Sequence, residues 1–155
     1  MTVNTVWSYS AYDPSGWAGA LMDARVFSAF SVPHSCILSS LTAQNQNELR
    51  AISAISPDFL RQQIQVLLKE GLPAVMKIGA LGNLDALRIL CAFLEEYKIP
   101  CVLDPVLSTS SGSALLPNEA FHYFRKQLIP RSSLITPNVQ EAELLSGISI
   151  KGRGS

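Results

Sequence analysis

The sequence predicts an α/β domain: a doubly wound, mostly parallel sheet flanked by helices. Short apolar runs alternate along the chain with segments of helical period. Acidic groups stand just beyond two of the apolar runs, Leu103-Asp104-Pro105-Val106 and Thr136-Pro137-Asn138-Val139-Gln140-Glu141, where open α/β sheets gather ligand groups. The 155 residues, 48% hydrophobic and 15% charged, suffice for one core of ordinary domain size. Residues 1–150 read as that domain, and Lys151-Gly152-Arg153-Gly154-Ser155 as a tail or expression scar.

Val3 to Ala11 is strand-like, and Gly16 to Phe30 carries Ala18, Leu21, Met22, Val26, Phe27 and Phe30 on roughly one helical face. Ser35 to Leu41 follows as a strand, and Gln44, Asn45 and Gln46 as a polar loop. Ser56-Pro57-Asp58 starts the next helix, with Ser56 as N-cap, Pro57 at the first helical position and Gly71 as C-cap. Ala74 to Ile78 is a strand. Asn83 to Lys98 repeats the helical period through Leu84, Leu87, Leu90 and Leu94, and Pro100 leads into the strand Cys101 to Leu103. Asn118 to Leu128 is a helix, Ser133 to Thr136 a strand, and Val139 to Ser146 a helix closed by Gly147. Strands interleaved with helices in this way imply right-handed crossovers and helices on both faces of the sheet.

A formal net charge of +0 removes the electrostatic footprint of nucleic-acid or anionic-membrane binding. Cys36, Cys91 and Cys101 have no CxxC spacing and sit in apolar surroundings, which predicts buried thiols and a reducing compartment. No basic leader precedes the first strand, and no apolar run approaches the roughly 18 residues that cross a bilayer. A cytoplasmic location is expected. His34 and His122 show no ligand spacing.

Four constellations are candidates to carry chemistry, each with a purely structural alternative. Asp13-Pro14-Ser15-Gly16-Trp17-Ala18-Gly19 joins the first strand to the first helix, where glycines let backbone N–H groups approach a ligand. Asp23 lies one turn on, amid apolar neighbours that leave its carboxylate in need of a partner. Leu41-Thr42-Ala43-Gln44-Asn45 places a carboxamide, donor and acceptor at once, where it can read a heteroaromatic edge or simply belong to a polar loop. Lys77-Ile78-Gly79-Ala80-Leu81-Gly82 offers two glycines past a strand end, with Lys77 equally well a solvated charge. The acidic strand ends supply Asp104, Asn138 and Glu141, hard oxygen donors suited to Mg²⁺ beside a phosphate or, equally, to capping helices. Ser110-Ser111-Gly112-Ser113 follows Asp104 as a hydroxyl-rich turn.

Taken in order, these motifs, with Thr136-Pro137-Asn138-x-x-Glu141-Ala142-Glu143-Leu144-Leu145, resemble the hydroxymethylpyrimidine/phosphomethylpyrimidine kinases of thiamine biosynthesis, members of the ribokinase-like superfamily. The resemblance runs from about Val6 to Gly147. It implies ATP- and Mg²⁺-dependent phosphorylation of 4-amino-5-hydroxymethyl-2-methylpyrimidine and then of its monophosphate. Carried over position by position, Gln44 would bind the aminopyrimidine edge, and Asp23 the ring or its substituents. Ala11, Ala18, Thr42, Ala80 and Leu107 would line the pocket, and Asp104, Asn138 and Glu141 would serve the metal and phosphate end.

The chain departs from the family pattern in places. A small residue usually stands where Trp17 is, glycine and serine where Ala11 and Tyr12 are, methionine at Ala80, and often lysine and an acidic residue at Ser110 and Ser113. The family's catalytic base and most of its adenine site lie beyond Gly147, so no residue here is assigned as catalytic, and the chain alone is expected to be inactive or nearly so. Two further readings stand beside a partial pyrimidine kinase: a catalytically dead pyrimidine-binding or regulatory module, and a pyridoxal-type kinase. An uncovered strand or face of the sheet would favour a homo-oligomer.

Overall fold

The structure, a computed structural model, describes residues 5–107, 116 and 118–150. The described residues form six strands: β1 (Val6–Tyr12), β2 (His34–Gln44), β3 (Leu49–Ala54), β4 (Val75–Ile78), β5 (Cys101–Leu103) and β6 (Leu134–Ile135). They make one sheet of order β3-β2-β1-β4-β5-β6. Every pairing is parallel except β2 with β3. The order runs outward from β1 in one direction and then, through β4, in the other, which makes the β1/β4 boundary the switch point of the doubly wound sheet.

Among the described residues five α-helices accompany it: α1 (Gly19–Ala29), α2 (Pro57–Leu68), α3 (Leu84–Tyr97), α4 (Asn118–Tyr123) and α5 (Val139–Ser146). Successive side chains of a strand point to opposite faces, and β1 shows that the helices cover both. The Ser8 hydroxyl donates to Asp23 of α1, whereas the next residue, Tyr9, donates its phenol proton to the Ala86 carbonyl of α3 at 2.7 Å. The α3 face carries the main core, in which Trp7, Tyr9, Ile37, Leu60, Met76, Ile78, Leu87, Leu90, Leu103, Phe124 and Leu128 are fully buried. Each such side chain contributes about 1.5–3 kcal/mol relative to an exposed one. Trp7 stacks on Phe93 with ring centres 5.8 Å apart.

Local chemistry sets the helix ends. The Ser56 hydroxyl accepts from the Phe59 amide and Pro57 opens α2, while Asn83 caps α3 by accepting from the Ala86 amide at 2.8 Å. The α2 helix stops at Leu68, three residues short of the expected Gly71 cap.

Three expectations need correction. A strand, β3, lies between the polar loop at 44–46 and the helix start at Ser56, where the sequence reading assigns no element; it pairs antiparallel with β2, from Ser40 opposite Ala54 to Gln44 opposite Leu49. Its residues are mostly exposed, so it lacks the apolar run that marks a buried strand. Gln44 accordingly ends β2 instead of lying in a loop, and the turn that follows is held by Asn45 Oδ1, which accepts from the amides of Asn47 and Glu48. The helix expected over Asn118–Leu128 is α-helical only to Tyr123, then widens to a π turn at Phe124–Leu128 and tightens to a 3₁₀ turn at Ile129–Arg131. Pro130 lacks an N–H to continue an α ladder, and its ring opposes the carbonyl four residues back. The hydroxyl-rich turn Ser110-Ser111-Gly112-Ser113, the Val3 end of the first strand and the tail 151–155 lie outside the described residues.

Candidate functional site

A cavity of about 590 Å³ opens at the carboxyl ends of the central strands. It draws Ser10, Ala11 and Asp13 from β1 and its turn, Ser40, Thr42 and Gln44 from β2, Lys77 from β4 and Ala80 from the loop after it, and Asp104 and Val106 from beyond β5. This is the switch point, where two adjacent crossovers leave in opposite directions and a crevice must open.

The β1–α1 turn forms one wall. Asp13 is buried, and its carboxylate accepts from the Ser15 amide at 2.8 Å, the Ser15 hydroxyl at 2.7 Å and the Ala18 amide at 2.9 Å. Burial pushes the Asp13 carboxyl up, but hydrogen bonds from Ser15, the Gln44 side chain and Ala18 outweigh it, so the group sits below the usual carboxylate range. Arg25 Nη1 donates to the Gly16 carbonyl at 2.9 Å. Gly19 is required here: its φ is +60°, and a Cβ would lie 2.2 Å from the Ala11 carbonyl oxygen.

A bulge shapes the opposite wall. Ser10 pairs with Leu38 and Ala11 with Ser40, so Ser39 is the extra residue of β2. Gln63 of α2 satisfies both backbone groups of Leu38, donating to its carbonyl at 3.0 Å and accepting from its amide at 2.9 Å. The freed Ser39 hydroxyl donates to the Ala80 carbonyl at 2.6 Å, tying β2 to the loop after β4. Bulges beside sites re-aim the residues that follow them, and here those are Thr42 and Gln44. The Thr42 hydroxyl donates to the Tyr12 carbonyl at 2.9 Å, so its methyl group and not its proton is left for a ligand.

The floor is charged. Lys77 Nζ lies 3.1 Å from Asp23 Oδ1 and 3.6 Å from Asp104 Oδ2. The other Asp23 oxygen accepts from Ser8 Oγ at 2.5 Å. Lys77 can curl back because Gly79 has no side chain, since a Cβ there would meet Ser10 Oγ at 2.5 Å and Lys77 Nζ at 2.9 Å. Asp23 thus has the burial partner its apolar neighbours demanded.

Of the residues expected at the site, Ala11, Ala18, Asp23, Thr42, Gln44, Ala80 and Asp104 line this cavity. Leu107 is buried in the main core, and Val106 takes the wall position beside it. Asn138 and Glu141 are not among the lining residues. They form a reciprocal cap at the start of α5, the Asn138 carboxamide accepting from the Glu141 amide and the Glu141 carboxylate from the Asn138 amide, each at 2.9 Å. Oxygen donors of this kind suit a hard cation, but Asp104 already faces an ammonium and the cap occupies Asn138. Among the described residues no cluster of three acidic, histidine or cysteine side chains can hold a metal.

Sequence reasoning missed Asp13 as an organiser of the site, although the Asp-Pro-Ser-Gly order is an Asx-turn signal. The bulge and its Gln63 clamp left no such signal. The cysteines are free, with Cys91 and Cys101 buried and Cys36 half-buried. No helix among the described residues is long and apolar enough to cross a membrane.

A switch-point cavity walled by a glycine-bearing β1–α1 turn, on a sheet of this order, places the chain among the doubly wound α/β proteins that take a ligand at the carboxyl ends of their strands. Residues 13–154 match the family described as phosphomethylpyrimidine kinase, and the chain belongs to that family. It is 33% identical over 145 residues to the hydroxymethylpyrimidine/phosphomethylpyrimidine kinase of Aquifex aeolicus, covering 93% of this chain and 57% of that protein. The crystal structure of phosphomethylpyrimidine kinase from Clostridium difficile superposes with a TM-score of 0.88 at 31% identity, over 96% of this chain and 64% of that one. An ADP complex of Bacillus subtilis pyridoxal kinase superposes with a TM-score of 0.82 at 26% identity, over 94% of this chain and 54% of that one. The chain spans about half the length of the curated relatives it matches.

Proposed function

We propose that this chain supplies the aminopyrimidine side of an ATP- and Mg²⁺-dependent kinase acting on 4-amino-5-hydroxymethyl-2-methylpyrimidine and its monophosphate. The observation that carries the reading is the convergence of Gln44, Asp23, Lys77 and Asp104 on one cavity, in a chain of this family. The Gln44 carboxamide can pair with the donor and acceptor edge of an aminopyrimidine. Asp23 and Lys77 offer an acceptor and a donor for the ring substituents. Asp104 marks the phosphate end, where Mg²⁺ is ordinarily held by one or two carboxylates together with the phosphate oxygens themselves; in this reading Asn138 and Glu141 stand behind it.

Titration calorimetry with the aminopyrimidine tests the reading. Saturable binding that Gln44→Leu weakens at least tenfold is expected, and the absence of any binding by the unaltered chain overturns it. A pyridoxal-type kinase is the second reading, favoured by the likeness to the Bacillus subtilis pyridoxal kinase; pyridoxal binding without aminopyrimidine binding would select it. A cytoplasmic setting accords with both. We also propose self-association through β6, an edge strand on which Leu134 is exposed, because an open edge invites pairing with another chain. A monomeric mass in sedimentation at every concentration overturns that part.

A further inference from the structure

The two tryptophans occupy opposite environments. Trp7 is 2% exposed and stacked on Phe93, whereas Trp17 is 63% exposed and lines the cavity. Among the described residues the Trp17 ring meets no other ring, and its indole N–H has no hydrogen-bond partner. The backbone that carries it is nevertheless held on both sides. The Gly16 carbonyl accepts from Arg25, and the Ala18 amide donates to the buried carboxylate of Asp13. A large apolar ring left in water forfeits the stabilisation that burial would give, and mounting it on a pinned turn at a cavity mouth leaves it preorganised for something that enters there.

We propose that Trp17 is a recognition residue whose indole stacks on the planar heteroaromatic ring of the ligand, covering it while Gln44 reads its edge. The inference rests on the aminopyrimidine reading given above, but it concerns a residue at which this chain departs from the family pattern. Three properties support it. The cavity has the size of a small-molecule site. Gln44 supplies hydrogen bonds in the plane of a ring and leaves the face of the ring to other side chains. An indole presents a rigid π-surface that favours offset stacking on another ring. Trp17 thus neither fills the cavity nor closes it in the free chain; it forms the wall that a flat ligand completes.

The test uses the two different tryptophan environments. The full chain and its Trp17→Ala and Trp17→Phe variants are titrated with the aminopyrimidine and with pyridoxal, by calorimetry and by tryptophan fluorescence, after circular dichroism has shown that each variant is folded. In the unaltered chain, ligand should quench or blue-shift the emission of Trp17. In both variants the remaining Trp7 emission should not respond. Trp17→Ala should bind roughly 10- to 100-fold more weakly, the loss expected on removing one stacked aromatic ring, and Trp17→Phe should recover most of that loss. The same pattern with pyridoxal alone would uphold the stacking role and overturn the pyrimidine reading. Unchanged affinity in Trp17→Ala, with saturable binding of either ring, would overturn the stacking role and leave the reading intact. If neither ring binds the unaltered chain, both fall.

Discussion

Lys77 Nζ lies 3.1 Å from Asp23 Oδ1, joining the third residue of β4 to the middle of α1. Both side chains are largely withdrawn from water, at 24% and 13% exposure. The same ammonium reaches 3.6 Å toward Asp104, whose carboxylate is 42% exposed. One cation therefore ties the first helix to the ends of β4 and β5, and it does so on the cavity floor.

Removing that cation leaves Asp23 desolvated with only the Ser8 hydroxyl for support. Lys77→Met is expected to destabilise the fold by about 2 kcal/mol, since a hydrogen bond to a charged group lost from a withdrawn site costs about 1.5–3 kcal/mol. The double variant Lys77→Met/Asp23→Leu should recover part of that loss, because it also removes the orphaned charge. Urea unfolding midpoints of the unaltered chain, Lys77→Met and the double variant check this; a double variant no more stable than Lys77→Met would contradict it.

Gly79→Ala asks whether the bend of Lys77 matters for binding. The added methyl would lie 2.9 Å from Lys77 Nζ and 2.5 Å from Ser10 Oγ, so the ammonium must swing away from Asp23. Affinity for the aminopyrimidine should drop at least tenfold, and the fold should lose roughly 1–3 kcal/mol, the usual cost of overpacking. Calorimetry and thermal melts read the two effects separately.

Asp13 gives the molecule an acid-sensitive turn. Its folded-state pKa lies below the ordinary 3.8 because its hydrogen bonds outweigh its burial. A depressed carboxylate pKa contributes stability that is complete above the unfolded value and is lost as pH falls through the lower folded value. In Asp13→Asn the dependence of stability on pH below about 4 should flatten, and stability at neutral pH should fall. Unfolding midpoints measured from pH 7 downward show whether the two curves converge in acid; parallel curves would rule the assignment out.

The bulge in β2 rests on Gln63. Gln63→Leu removes two hydrogen bonds to Leu38, each worth about 1 kcal/mol net, and leaves two backbone groups unpaired. A loss of about 2 kcal/mol is expected, accompanied by weaker ligand binding, because Thr42 and Gln44 follow the bulge on the same strand. A variant that lost stability but kept full affinity would show that the bulge does not aim those residues.

Much of the architecture was legible because hydrophobic period survives in a single sequence. Leu84, Leu87, Leu90 and Leu94 announced α3, and the last three are buried in the core. Ser56-Pro57 announced the start of α2, and Gly147, in the left-handed region at +72°, the end of α5. The short exposed β3 was illegible, since a strand stabilised by pairing alone has no apolar face to write into the sequence. The π turn after Tyr123 was hidden for a different reason: Phe124 and Leu128 keep a helical spacing even though the backbone between them widens.

By itself, the sequence determined most of the alternation of strands and helices, the start of α2 and the end of α5, and the family to which the chain belongs. These depend on residues close together in the chain, or on an order of motifs that can be read without coordinates. Only the tertiary structure decided which charges meet. It brought Lys77 to Asp23 and Asp104 across 54 and 27 residues of chain, and left one tryptophan buried and the other at the cavity mouth. Such choices follow from strand register, one bulge and two tight glycine positions, whose effects appear only when distant segments pack together.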